Sequence, residues 1–151
     1  MSDLRDLYQE VILDHNKRPH NFGPLPDATA TADGHNPLCG DRLRLYLRLE
    51  GDRIAGVSFE GSGCAISKAS ASLMTDAVKG KNIAEVGHLF DRVRAMLTSD
   101  TDEASIDDEE LGSLAVLSGV REFPMRVKCA SLAWHTLKSA LAGTHETAKT
   151  E

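Results

Sequence analysis

The sequence predicts an α+β domain in which a small three-stranded antiparallel sheet packs against about five helices. Three observations predict it. Leu43, Leu45, Leu47 and Leu49 alternate, Gly51-Asp52 follows, and Ile54, Val57 and Phe59 form a second apolar run; Gly-Asp between two such runs signals a two-residue hairpin turn. On either side of this hairpin, apolar residues recur at helical spacing. Aromatic content is low, at four Phe, two Tyr and one Trp in 151 residues, so Leu, Val and Ala on helices must supply much of the core.

The chain opens with Leu4, Leu7, Tyr8, Val11 and Ile12 on one helical face, with Ser2 as a cap and an end near His15. Residues 17–26 hold three of the five prolines and read as a crossing loop. Ala28 to Ala32 is the third strand. After the hairpin, Ile66, Ala69, Leu73, Met74 and Ala77 mark a helix closed near Gly80. A further helix from about Asn82 buries Ile83, Val86, Phe90, Val93 and Leu97. Ser99 to Glu110 is a solvated acidic connection that lacks the glycine and spacing of a calcium loop, and its second part opens a short helix through Leu111, Leu114, Ala115 and Ser118. Pro124 breaks the helical pattern and Cys129 restarts it, with Ala133, Trp134, Leu137, Ala140 and Leu141 as the core face. Residues 1–143 therefore form one domain, and 144–151 a frayed polar tail.

A net charge of −6 argues against a nucleic-acid or anionic-membrane surface. The N-terminus lacks the layout of a secretory signal, and no apolar run approaches the roughly 20 residues of a spanning helix, so the cytoplasm is the expected compartment. Three cysteines there point to metal binding or thiol chemistry rather than to a disulfide framework.

The hairpin locates that chemistry. A two-residue turn sets Glu50 opposite Arg53, and the same register continued outward sets Cys39 opposite Cys64, with Asp41 two residues from Cys39 on one face. Cys64 and Cys129 are expected at helix starts, where free N–H groups favour thiolate, and Arg126 and Lys128 push Cys129 the same way. Cys39, Asp41, Cys64 and Cys129 would make a tetrahedral set suited to zinc, or three sulfur corners for an iron-sulfur cluster, and spacing leaves both open. The six histidines read mostly as surface or capping residues, with His35 the one expected to support the metal ligands.

At these residues the chain resembles the iron-sulfur scaffold family that includes IscU and SufU. The resemblance runs through Asn36-Pro37-Leu38-Cys39-Gly40-Asp41, through Phe59 to Ser70 (F-E-G-S-G-C-A-I-S-K-A-S), and through Arg126-Val127-Lys128-Cys129-Ala130. Leu13-Asp14-His15 and Pro19-His20-Asn21-Phe22-Gly23 extend it, although His20 stands where the family often has arginine. Lys128 occupies the place where the IscU branch has histidine, and the long segment between Cys64 and Cys129 resembles SufU. The SufU resemblance implies zinc on Cys39, Asp41, Cys64 and Cys129. It also implies a sulfurtransferase role, with persulfide sulfur accepted from a SufS-type cysteine desulfurase and passed to downstream iron-sulfur assembly proteins. Cys39, between Pro37 and Gly40, is the expected acceptor, leaving the metal while a desulfurase histidine fills its place. Arg126 is expected to pair with Asp41 or to orient Cys129. Three rival readings are a scaffold that assembles a cluster on the same ligands, a purely structural zinc module, and a cysteine hydrolase, the last disfavoured because no Cys-His-Asn/Asp set is evident.

Overall fold

In the computed structural model, residues 2–37, 40–98, 114, 117, 124–142 and 148–149 are described. They comprise α1 (Ser2–Lys17), β1 (Ala30–Asn36), β2 (Asp41–Glu50), β3 (Arg53–Ser62), α2 (Ala65–Val78), α3 (Ile83–Thr98), α4 (Pro124–Ala142) and β4 (Ala148–Lys149). The sheet order is β3-β2-β1-β4, with β1, β2 and β3 antiparallel and the two-residue β4 parallel to β1. The expected α+β architecture is present. The helix expected around 105–119 and the acidic segment before it lie outside the described residues, except that Leu114 and Leu117 are buried in the core. Within the tail expected to fray, Ala148 and Lys149 pair with Gly34 and His35, using the backbone groups on the open edge of β1.

Strand alternation decides which face is covered. Asp41, Leu43, Leu45 and Leu47 are buried on the inner face of β2, whereas Arg42 and Arg44 point outward. Helix α4 lies across β1 and β2, α2 lies against β3, and α1 packs on α2. The inner face of β1 is Ala32, Gly34 and Asn36, all buried. A Cβ at Gly34 would overlap the Thr136 hydroxyl, so glycine there lets α4 approach the sheet. β1 starts two residues later and ends four residues later than the Thr- and Ala-rich run predicts: the composition marks its first half, and contact with α4 accompanies the second.

Two further expectations change. The Glu50–Arg53 pair starts the hairpin as predicted, but the register shifts by one between Arg48 and Leu49, after which Leu47 faces Val57 and Arg42 faces Ser62. The cause is visible in the apolar spacing. Ile54 and Val57 are both buried but three residues apart, so a strand that turns both inward needs one extra residue, a bulge. Pro124 does not break the last helix but begins it, because proline at a first helical position has no N–H to leave unbonded. The second change moves Cys129 from a helix start to the sixth residue of α4.

Helix α1 runs two residues past its expected end and carries His15 inward. Expected at the surface, His15 is 8% exposed, with Nδ1 2.7 Å from the Ser72 hydroxyl and its ring 4.4 Å from that of His20. Burial, and then the His20 charge, hold the His15 pKa below its usual 6.5, against opposing pulls from Asp76 and Asp14. The unfolded chain therefore takes up a proton at His15 more readily than the native one, and stability falls as pH drops below about 6.5. His15→Gln should flatten the decline of the unfolding midpoint between pH 7.5 and 5.5 relative to the parent. Identical pH slopes for the two proteins would contradict this.

The loop after α1 runs along the free edge of β3. Gly23 donates to the Phe59 carbonyl (2.8 Å), and the Phe59 amide donates to Asn21 (3.0 Å). Asn82 and Glu85 form a reciprocal capping box that starts α3. No helix among the described residues is long and apolar enough to cross a membrane.

Candidate metal centre

The start of β2, the start of α2 and the second turn of α4 meet at one end of the sheet. Asp41 begins β2 as the last member of the buried row that continues through Leu43, Leu45 and Leu47, and it is wholly buried. A carboxylate in that row is costly without partners. Cys64 follows β3 and is the N-cap of α2, its sulfur accepting from the Ser67 amide at 3.4 Å. The expected placement of Cys64 at a helix start is therefore observed. Cys129 projects from the second turn of α4 and is 2% exposed. At that depth it is beyond the first-turn influence of the helix dipole, so the expected activation by a helix start is corrected for this residue.

The bulge changes how Asp41 and Cys64 meet. With the shifted register, Ser62 faces Arg42, and the chain turns at Gly63 into α2. The Cys64 amide then donates to Asp41 Oδ1 at 2.8 Å, and the Cys64 sulfur stands 3.9 Å from Asp41 Oδ2. Gly63 has φ of +149°, and a Cβ on it would overlap Asp41 Oδ1, so both backbone and space require glycine. Gly63→Ala should displace Asp41, destabilise the fold by about 1–3 kcal/mol and lower metal affinity. A variant with parental unfolding midpoint and parental metal retention would refute this account of Gly63.

The donor atoms of Asp41, Cys64 and Cys129 all lie within 4.8 Å of one another. Ligand atoms around a tetrahedral zinc are about 3.5–3.8 Å apart, given Zn–S near 2.3 Å and Zn–O near 2.0 Å. The residues present thus fit a small divalent ion with one oxygen and two sulfur ligands, with a corner left for a fourth. Cys39 lies outside the described residues, and so does its expected pairing with Cys64. Of the expected supporting residues, Arg126 is exposed and Lys128 half-buried on α4. Asp41 takes its hydrogen bonds from Asn36 and the Cys64 amide instead of from Arg126. His35 projects from the face of β1 opposite to Asn36, across from Arg42, and so points away from the three donors.

Asn36, not singled out from the sequence, is the residue that touches two of them. It is wholly buried and directly opposite Asp41 across the β1–β2 pair. Its signal was positional: Asn36 and Asp41 flank the short turn that contains Cys39, closed by the Gly40 amide on the Asn36 carbonyl at 2.8 Å.

The family model described as NifU-like N terminal domain matches residues 7–143. The chain belongs to this family. Within it, the Bacillus subtilis protein named zinc-dependent sulfurtransferase SufU is 44% identical over 141 residues, covering 93% of each chain. A Streptococcus pyogenes protein named iron-sulfur cluster assembly scaffold protein IscU is 43% identical over 141 residues, covering 93% of this chain and 86% of its own. A solved structure from Fervidobacterium islandicum, described as a candidate iron-sulfur cluster assembly scaffold for the SUF system, is 36% identical. It superposes with a TM-score of 0.77 over 87% of this chain and 94% of that one. The NifU-like fold and the SufU/IscU relationship expected from the cysteine motifs are both present.

Proposed function

We propose that this NifU-like domain is a zinc-dependent sulfur acceptor that takes persulfide sulfur from a SufS-type cysteine desulfurase and passes it to iron-sulfur assembly proteins. The observation that carries the reading is the buried carboxylate of Asp41, gathered with the sulfurs of Cys64 and Cys129 inside 4.8 Å. Asp41, Cys64 and Cys129 are three ligands in this reading and Cys39 is the fourth. Chain connectivity alone keeps the Cys39 Cα within about 7.6 Å of the Asp41 Cα. Bound zinc would keep the ligating thiols deprotonated and damp their nucleophilicity.

The acceptor in this reading is Cys39, between Pro37 and Gly40 in the turn that joins β1 to β2. Gly40 has φ of +73°, a conformation that glycine adopts without strain. The Cys39 thiolate attacks the outer sulfur of the desulfurase persulfide, the sulfur–sulfur bond of that persulfide breaks, the desulfurase cysteine leaves as thiolate, and Cys39 carries the new persulfide. Cys64 and Cys129 remain as anchors, one at a helix cap and one buried in a helix. The reading sets the chain in the cytoplasm, where such thiols stay reduced.

A scaffold that assembles a cluster on the same residues is the second reading, favoured by the nearly equal identity to the IscU-named relative. Metal analysis of protein purified without oxygen, followed by desulfurase turnover with and without this chain, separates the two. One zinc per chain and accelerated turnover support the sulfur acceptor. A persistent iron-sulfur chromophore with unchanged turnover would support the scaffold, and zinc with no effect on turnover a purely structural module.

A further inference from the structure

Asn36 reaches two of the three donors with one side-chain nitrogen. Its carboxamide nitrogen is 3.5 Å from Asp41 Oδ2 and 3.5 Å from the Cys129 sulfur. Such a nitrogen carries two hydrogens, so one side chain has an N–H for each of the two acceptors, and only this orientation of the amide suits a carboxylate and a sulfur. The two Asp41 oxygens are thereby unequal. Oδ1 is committed to the Cys64 amide at 2.8 Å, whereas Oδ2 has the longer Asn36 contact and faces the Cys64 sulfur at 3.9 Å.

We infer that Asn36 is the positioning residue of this centre, presenting Asp41 as a one-oxygen ligand through Oδ2 and holding the Cys129 sulfur beside it before metal arrives. The inference rests on the metal-site reading above. Without the shared donor, the buried Asp41 oxygen and the Cys129 sulfur would have no common N–H to fix them side by side, and each side chain would be free to turn away from the ligand position. The wholly buried position at the end of β1 makes Asn36 suited to this task, because its backbone is fixed opposite Asp41 by the strand pairing. Loss of a group that orients metal ligands typically costs 10–100-fold in affinity.

Two variants test it. Asn36→Leu keeps the volume and removes both N–H groups; Asn36→Asp keeps the shape and puts an acceptor where the donor was. Zinc affinity would be measured by competition with a chromophoric chelator, ligand geometry by the visible bands of the cobalt-substituted protein, and folding by circular dichroism. Both variants should bind zinc about 10–100-fold more weakly, with Asn36→Asp the weaker, and both should show displaced cobalt bands. Affinity within about threefold of the parent, with unchanged cobalt bands in a folded variant, would overturn the inference. If neither larger change folds, Asn36→Ser is judged by the same two readouts. A parent chain that retains no zinc would overturn the metal-site reading itself, and this inference with it.

Discussion

Complete removal of zinc should lower the unfolding midpoint of this protein by roughly 8–16 °C. The figure comes from linkage: a ligand held at about 1,000 times its dissociation constant stabilises the native state by about 4 kcal/mol, and each kcal/mol moves the midpoint of a chain this size by about 2–4 °C. The structural reason is where the ligands sit. Asp41 starts β2, Cys64 caps α2 and Cys129 lies in α4, so one ion would tie the sheet to the two helices that cover it. Without it, the buried Asp41 carboxylate keeps, among the described residues, the Cys64 amide and long contacts to Asn36 and the Cys64 sulfur. Scanning calorimetry of chelator-treated and zinc-restored protein reads the difference. Midpoints within about 2 °C of each other would mean that these residues hold no structural ion.

Replacing Cys39 by serine should bring desulfurase turnover down to the rate of the desulfurase alone. A serine hydroxyl is not deprotonated at neutral pH, so the nucleophile is lost while Asp41, Cys64 and Cys129 stay in place. The same change at Cys129 removes a buried sulfur from the Asn36 contact, and at Cys64 it keeps a cap on α2 but removes the sulfur, so both should lose metal retention along with turnover. Cys39→Ser should retain zinc under excess metal and remain folded. Parental stimulation by Cys39→Ser would rule out this cysteine as the acceptor.

The strongest sequence signals were local. Gly51-Asp52 and the Leu43-to-Leu49 alternation placed the hairpin, and Gly61-Ser62-Gly63 placed the junction before α2. What was misread depended on contacts between distant segments. The register is not constant beyond Leu49, and the spacing of Ile54, Val57 and Phe59, three and then two residues, already carries the bulge that shifts it. Pro124 signals a break in sequence because proline interrupts a helix interior, yet at the first helical position, where it stands, it does not. The role of Asn36 is not legible locally, because nothing in its sequence neighbours shows that its amide meets a sulfur 93 residues away on α4. His35, next to it, falls on the other face by the period of two that strands impose, a consequence available only once β1 was known to extend through Asn36.

The measurement that tests the account most directly is the location of sulfur after a single turnover. Zinc-loaded protein would be mixed with a persulfidated SufS-type desulfurase, quenched by alkylation, digested and analysed by peptide mass. The account predicts the first added sulfur on the peptide containing Cys39, with those containing Cys64 and Cys129 unmodified. Persulfide appearing first on Cys64 or Cys129 while Cys39 remains a free thiol would contradict it.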